Sequence, residues 1–270
     1  MAPIITSVKN PRVKHVIRLG KRSYRDRERQ TVVEGGREVE LALDAGIVPM
    51  LVLQCPALLD AMSTGAAERC RALADAGETE LLEVSPDVFA KVAYRESTGG
   101  LVVVIPALDK SLYEIRPDST SLILVVDGAE KPGNLGALLR SADAAGVDLV
   151  FVCGSGTDIN NSNVIRSSLG AIFTVPVVQA PTIAAIEWLR AAGMRILAAT
   201  PDADKIYTDI DLTGPVAIVV GSEAFGISEA WRDACDARLR IPMAGRVDSL
   251  NLSTSTAILL FEAIRQRSAH

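Results

Sequence analysis

The chain has 270 residues, 49% of them apolar, and a net charge of −5, which provides core for one large domain or two modest ones. No apolar run approaches the ~20 residues of a membrane-spanning helix, and MAPIITSVKNPRVKHV lacks the apolar stretch of a secretory signal. His15 and His270 are the only histidines, and Cys55, Cys70, Cys153 and Cys235 are scattered without a C-x-x-C pair, which disfavours a histidine-based triad, a zinc site and a disulfide framework. The expectation is a cytoplasmic protein with reduced thiols and no metal. The basic start of the chain keeps a mitochondrial address as the lesser alternative.

The charge is unevenly spread. Residues 1–30 hold nine Lys and Arg against Asp26 and Glu28, a balance of +7. The rest of the chain holds 19 basic and 31 acidic groups, a balance of −12. Lys9, Arg12, Lys14, Lys21, Arg22 and Arg25 therefore make a local basic arm or helix on an acidic protein, the footprint of a phosphate backbone. A solvated helix face or a frayed arm reads equally well at this point.

After the arm, short apolar strands and helices alternate. TVVEGG (31–36), 50–54, 80–84 and 101–105 read as strands, and 37–45, 57–76 and 86–93 as helices. They form a small α/β domain over 31–106. PALDKSLYEIRPDSTS has two prolines and no period, so 107–120 reads as a linker. Alternation restarts at 121 and runs to 270. LILVV (122–126), DLVFV (148–152), RILAA (195–199) and PVAIVV (215–220) read as strands. Helices are expected near 134–146, 163–171, 182–192 and 228–235. Near-continuous apolar strands alternating with helices predict an α/β fold, a mainly parallel sheet with helices on both faces. The last helix, near 250–266, places Leu250, Ala257, Ile258, Phe261 and Ile264 on one face.

Ligands of such sheets bind beyond the carboxyl ends of the strands. Three segments there are unusual: EKPGNLGALLRSADAAGV (130–147), GSEAFGIS (221–228) and RIPMAGRVDSLNLSTSTA (240–257). They supply Asn134, Arg140, Glu223, Ser249 and Asn251. Each alone is weak. Arg140 has Asp143 at i+3 for a surface ion pair, and Ser249 suits a helix N-cap. Ala137 and Ala144 flank Arg140 and leave room for an approaching group. Neither G-x-G-x-x-G after the first strand nor G-x-x-x-x-G-K-[ST] is present, which disfavours a dinucleotide-dependent dehydrogenase and a nucleoside triphosphatase.

Taken in order, the three segments resemble the motifs of the SpoU (TrmH-like) family of RNA ribose 2′-O-methyltransferases, within the SPOUT superfamily. Asn134, Gly136 and Arg140 meet N-x-G-x-x-x-R. Gly221, Glu223 and Gly226 meet G-x-E-x-x-G. Ser249, Leu250, Asn251 and Ser253 meet S-L-N-x-S. The stretch from ITSVKNPRVKHV to ELAL resembles the entry of members with an additional RNA-binding domain, and RESTGGLVVVI its close. The resemblance implies a deep trefoil knot, S-adenosylmethionine as methyl donor, a homodimer with the active site at the subunit interface, and an RNA substrate, ribosomal rather than transfer RNA. It assigns Asn134, Arg140, Glu223, Ser249 and Asn251, with Arg166 as a second active-site arginine, to catalysis. It places Thr200, Gly221, Ile241, Met243 and Leu250 around the donor. The family gives Arg140 the base role. Arginine stays protonated, with a reference pKa above ~12, so holding the ribose phosphate or a developing alkoxide suits it better. A transfer RNA target, or a non-catalytic ribosome-assembly factor on the same fold, is the alternative.

Overall fold

The computed structural model describes residues 3–94, 99–110, 112, 115–246 and 249–268. Arg95–Thr98 of the RESTGG stretch, Ser111, Tyr113 and Glu114 of the expected linker, Val247 and Asp248 of the third motif segment, and His270 lie outside the described residues. In chain order the elements are α1 (Pro11–Arg18), α2 (Arg22–Glu28), β1 (Gln30–Glu34), α3 (Gly36–Asp44), β2 (Leu51–Gln54), α4 (Ala61–Asp75), β3 (Glu80–Glu83), α5 (Pro86–Val92) and β4 (Leu101–Pro106). There follow β5 (Leu122–Asp127), α6 (Pro132–Ala144), β6 (Leu149–Cys153), α7 (Ser162–Ser167), α8 (Ala171–Thr174), β7 (Val177–Gln179), α9 (Thr182–Ala191) and β8 (Arg195–Ala199). The last are β9 (Lys205–Ile206), β10 (Val216–Gly221), α10 (Glu229–Ala234), β11 (Ala237–Arg240) and α11 (Leu252–Ser268). The chain divides into two compact units, one of Met1–Leu108 with Asp158–Thr174, the other of Asp109–Thr157 with Val175–His270.

In the first unit, β1, β4, β2 and β3 form a sheet in that order. The β2–β3 pair is parallel and the other two are antiparallel. The basic start of the chain is no frayed arm. Asn10 caps α1 by accepting from Arg12 N at 2.8 Å, and Pro11 fits the first helical turn, where its missing N–H costs nothing. Val13, Val16 and Leu19 then bury against Leu53, Phe89, Val102 and Val104. Each such burial contributes ~1.5–3 kcal/mol, enough to hold a two-turn helix that would not form alone.

Segment Asp158–Thr174 belongs to this unit. The Asp158 carboxylate accepts from Arg25, and the Asn160 carbonyl accepts from Thr31 Oγ1 at 2.6 Å. The helix expected over 163–171 is interrupted. Leu169 (φ 51°) and Gly170 (φ 86°) turn left-handed and separate α7 from α8. A Cβ on Gly170 would stand 2.3 Å from Leu41 Cδ1, so only glycine fits this turn against α3.

The second unit bears out the parallel sheet. Its strand order is β7-β6-β5-β10-β8-β11-β9, and every neighbouring pair is parallel. Every residue of β5 and β6 is buried, which accounts for the unbroken apolar runs. Phe151, Leu189, Ile196, Val219 and Trp231 meet in one cluster beneath α9 and α10.

The last helix buries another side than the one on which the sequence groups Ala257, Ile258, Phe261 and Ile264. In α11 the buried side chains are Leu252, Thr256, Leu259, Leu260, Glu262 and Ala263, and the helix packs on α6 and β10. Phe261 is instead half-exposed, with Ala257, Ile258 and Ile264 partly covered. The helix is apolar on two sides, so periodicity alone could not select the face that this chain buries.

Candidate active site

The GSEAFGIS turn leaves the carboxyl end of β10. Ser222 N donates to Gly226 O at 3.0 Å and Gly226 N to Ser222 O at 2.9 Å, closing a tight loop. A Cβ on Gly221 would stand 2.1 Å from the Gly226 carbonyl carbon, and Gly226 has φ 65°, so both positions demand glycine. The closed loop presents Glu223 between the starts of two helices.

The two other motif segments converge on the Glu223 carboxylate. Asn134 Nδ2, in the first turn of α6, donates to Oε1 at 2.9 Å. Asn251 Nδ2 donates to the same oxygen at 3.0 Å. Lys131 Nζ, from the residue before α6, donates to Oε2 at 3.2 Å. A carboxylate between two helix N-termini is also favoured by their positive ends. Hydrogen bonding to Lys131 comes first in holding Glu223 below the usual carboxylate pKa, followed by the Lys131 charge, the Leu252 backbone and Asn134. The group is thus an anion with little appetite for a proton at neutral pH, an anchor rather than a base.

Asn251 has a second task. Its Oδ1 accepts from Ser253 N at 3.0 Å and Ser253 Oγ at 2.6 Å, so Asn251, not Ser249, caps α11. Ser249 is exposed and stands at a neighbouring cavity of about 100 Å³. That cavity is lined by Thr200, Leu239, Ile241, Met243, Leu250 and Leu259, among others. Four of the five residues expected around a methyl donor thus meet in one place. Gly221 does not line it; its part is to close the Glu223 loop. Thr200 Oγ1 is buried and meets no hydrogen-bond geometry, although its nearness is the first cause of the lowered Asp202 pKa.

Arg140 is not gathered into the Glu223 cluster. It lies six residues beyond Asn134, which at 3.6 residues per turn points it about 120° away around α6. It is exposed and makes no hydrogen bond or ion pair with a described residue, Asp143 included. Arg166 lies in the first unit, on α7. Its guanidinium stands 4.6 Å over the Tyr94 ring, 3.7 Å from Glu34 Oε1, and donates to Asn163 Oδ1 at 2.8 Å.

The basic footprint divides. Lys9, Lys14 and Lys21 are exposed and make no ion pair with described residues. Arg12 bridges to Glu80 at 2.8 Å and Arg22 to Asp26 at 3.8 Å, both at the surface. Arg25 is a correction. It is 5% exposed, its Nε and Nη2 donate to Asp158 Oδ2 at 3.1 and 2.8 Å, and its Nη1 donates to the Leu19 and Gly20 carbonyls. Every guanidinium nitrogen is engaged inside the fold, so Arg25 cannot reach a phosphate. Sequence reasoning also missed Lys131. Lys131 was legible as the last residue before a proline-started helix, facing the acidic turn.

The sequence pattern of the SpoU rRNA Methylase family matches residues 121–261. A 23S rRNA (uridine(2479)-2′-O)-methyltransferase of Streptomyces viridochromogenes is 33% identical over 258 residues, 92% of this chain and 87% of that protein. The chain belongs to the SpoU rRNA methylase family. The pattern of the MRM3-like substrate binding domain matches residues 10–103, so this family member carries the additional N-terminal domain. The 23S rRNA (guanosine-2′-O-)-methyltransferase RlmB of Pseudomonas aeruginosa is 40% identical over 154 residues, 57% of this chain and 62% of that protein. The crystal structure of an AdoMet-bound rRNA methyltransferase from Sinorhizobium meliloti superposes with a TM-score of 0.89 at 32% identity, covering 97% of each chain. Among the described residues no helix is long and apolar enough to cross a membrane.

Proposed function

We propose that this protein transfers the methyl group of S-adenosylmethionine to a ribose 2′-hydroxyl of large-subunit, 23S-type ribosomal RNA. The observation that carries the reading is the Glu223 carboxylate, tied to Asn134 and Asn251 from three separate segments beside an apolar cavity. The relatives support the choice of ribosomal over transfer RNA, since those described above act on 23S rRNA.

The residues present fit the donor. Leu239, Ile241, Met243 and Leu250 offer apolar walls to an adenine and a methionine chain, and the buried Thr200 Oγ1 is left to receive a polar partner. In this reading the site is part of the family's deep trefoil knot. When bound, the donor would supply an electrophilic methyl group from its sulfonium and become a neutral thioether, the ribose oxygen gaining the carbon and releasing its proton to water.

The protein's share of the work is positional and electrostatic. Glu223 holds Asn134 and Asn251, whose amides are thereby oriented toward the reacting end. Arg140, exposed and without a partner among the described residues, serves as the cation for a ribose phosphate or developing alkoxide. Because Arg140 points away from Glu223 of its own chain, a site built from two copies suits it. The half-exposed face of α11 with Ile258, Phe261 and Ile264 provides the surface for that homodimer. Lys9, Lys14 and Lys21 of the N-terminal unit contact the RNA backbone, and Arg166 clamps a phosphate of the target. The protein works in the cytoplasm, where ribosomes are assembled.

The experiment is transfer of labelled methyl from S-adenosylmethionine to 23S rRNA lacking this modification. Arg140→Ala is expected to lower the rate ~10²–10³-fold, the usual loss of one transition-state donor. Full activity in Arg140→Ala would refute its role. Failure of the wild-type protein to bind S-adenosylmethionine by calorimetry would favour the non-catalytic assembly factor.

A further inference from the structure

The second unit has another opening, apart from the apolar cavity, at the carboxyl ends of β5, β6 and β10. Here the chain order of strands reverses on either side of β5, the switch point where open parallel sheets receive ligands. The opening has a volume of about 270 Å³ and is bordered by Asp127, Glu130, Ser155, Thr182 and Phe225. Two features of its wall face the opening. Phe225, at the tip of the Glu223 loop, is 84% exposed, the largest exposure among the large apolar residues described. Asp127 is 5% exposed; its Oδ2 accepts from Ser228 N at 2.7 Å, while Oδ1 accepts from no described residue. As a wall residue, Asp127 offers that oxygen as an acceptor to an N–H or O–H in the opening.

We propose that this opening is a nucleobase subsite, with Phe225 as the stacking face for a base of the RNA substrate. The inference rests on the methyltransferase reading and adds to it. Glu130 borders both this opening and the smaller one beside Lys131, Asn134 and Glu223, so the two adjoin. A ribose held near Asn134 therefore leaves its own or an adjacent base facing Phe225. Carboxylates at Asp127 and Glu130 disfavour a phosphate here and favour the N–H edges of a base. An apolar protein surface would offer neither carboxylate a further donor. An aromatic side chain exposed beside a polar wall is what unstacked bases use, since every base has a π-face.

The test uses the full-length protein, S-adenosylmethionine and unmodified 23S rRNA, with Phe225→Ala and Phe225→Tyr. Phe225→Ala is expected to raise KM for the RNA about tenfold, the range of one lost base–aromatic stack, with little change in kcat. Phe225→Tyr keeps the ring and is expected to stay within about twofold of wild type. S-adenosylmethionine affinity and melting temperature are expected to be unchanged in both. An unchanged KM in Phe225→Ala, or a Phe225→Tyr as poor as Phe225→Ala, overturns the proposal. So does a Phe225→Ala protein that sediments as a monomer when the wild type is a dimer, because the ring would then belong to a contact between copies. A wild-type protein that methylates no RNA overturns the functional reading itself, an outcome distinct from these.

Discussion

Replacing Asp158 tests the reassignment of Arg25 from RNA ligand to fold element. Both side chains are 5% exposed, and the Arg25 fork spends two nitrogens on Asp158 Oδ2 and the third on the Leu19 and Gly20 carbonyls. Asp158 Oδ1 also accepts from Asn160 N at 2.8 Å. Asp158→Ala leaves the guanidinium buried beside two neutral carbonyls. Breaking a buried pair from one side costs ~3–5 kcal/mol, because the remaining charge has no counter-ion. For a unit of this size that lowers the melting temperature by roughly 10 °C or more. Arg25→Lys is expected to fall only part of the way, since one ammonium cannot fill a planar fork. Urea unfolding of Arg25→Ala, Asp158→Ala and the double variant gives the coupling energy. The double variant is expected to be less destabilised than the sum of the singles. The reasoning is refuted if Asp158→Ala costs under ~0.5 kcal/mol, the level of a surface substitution. It is refuted equally if Arg25→Lys keeps full stability while the salt dependence of RNA binding changes.

Two further outcomes follow from the site and the basic surface. Exchanging Lys9, Lys14 and Lys21 for glutamine is expected to weaken RNA binding uniformly and to reduce the slope of log affinity against log salt by about 2–3; an unchanged slope moves the footprint elsewhere. Glu223 has its pKa lowered, chiefly by hydrogen bonding to Lys131, so its anionic arrangement is present at neutral pH and is lost only as pH falls through a value below the usual one for a glutamate. Initial rates against pH are expected to show that low acid limb in the wild type, and Glu223→Gln to be slower at every pH without it; an acid limb at the same place in Glu223→Gln assigns it to another group.

The sheet was the most legible part of the structure. The stretches 122–126, 149–152, 196–198 and 216–220 are buried on both faces, so they are apolar throughout and easily read. The edge strand β9 is two residues long, and β7 three, too short to show a period. The 57–76 segment was read as one helix, yet Asp60 begins α4 at Ala61 by accepting from Ser63 N, and Pro56–Leu58 forms a separate 3₁₀ turn. Asn134, Glu223 and Asn251 were legible as a set because their motifs are ordered, not because spacing predicts that they touch. The geometry of Arg25 was hidden, since its partner Asp158 is 133 positions away and a buried arginine looks like its exposed neighbours in a basic run. Which face of α11 is covered was not legible for a related reason: a helix apolar on two sides does not say which side its own chain buries.

The central claim is ribose methylation of large-subunit RNA, and the direct measurement is a map of 2′-O-methylated nucleotides on total RNA from cells with and without this protein. The account predicts that one or a few ribose positions in 23S-type rRNA lose their methyl group when the protein is absent and regain it with the wild type but not with Arg140→Ala. Identical ribosomal RNA maps in its presence and absence, or a lost methyl group confined to transfer RNA, would contradict it.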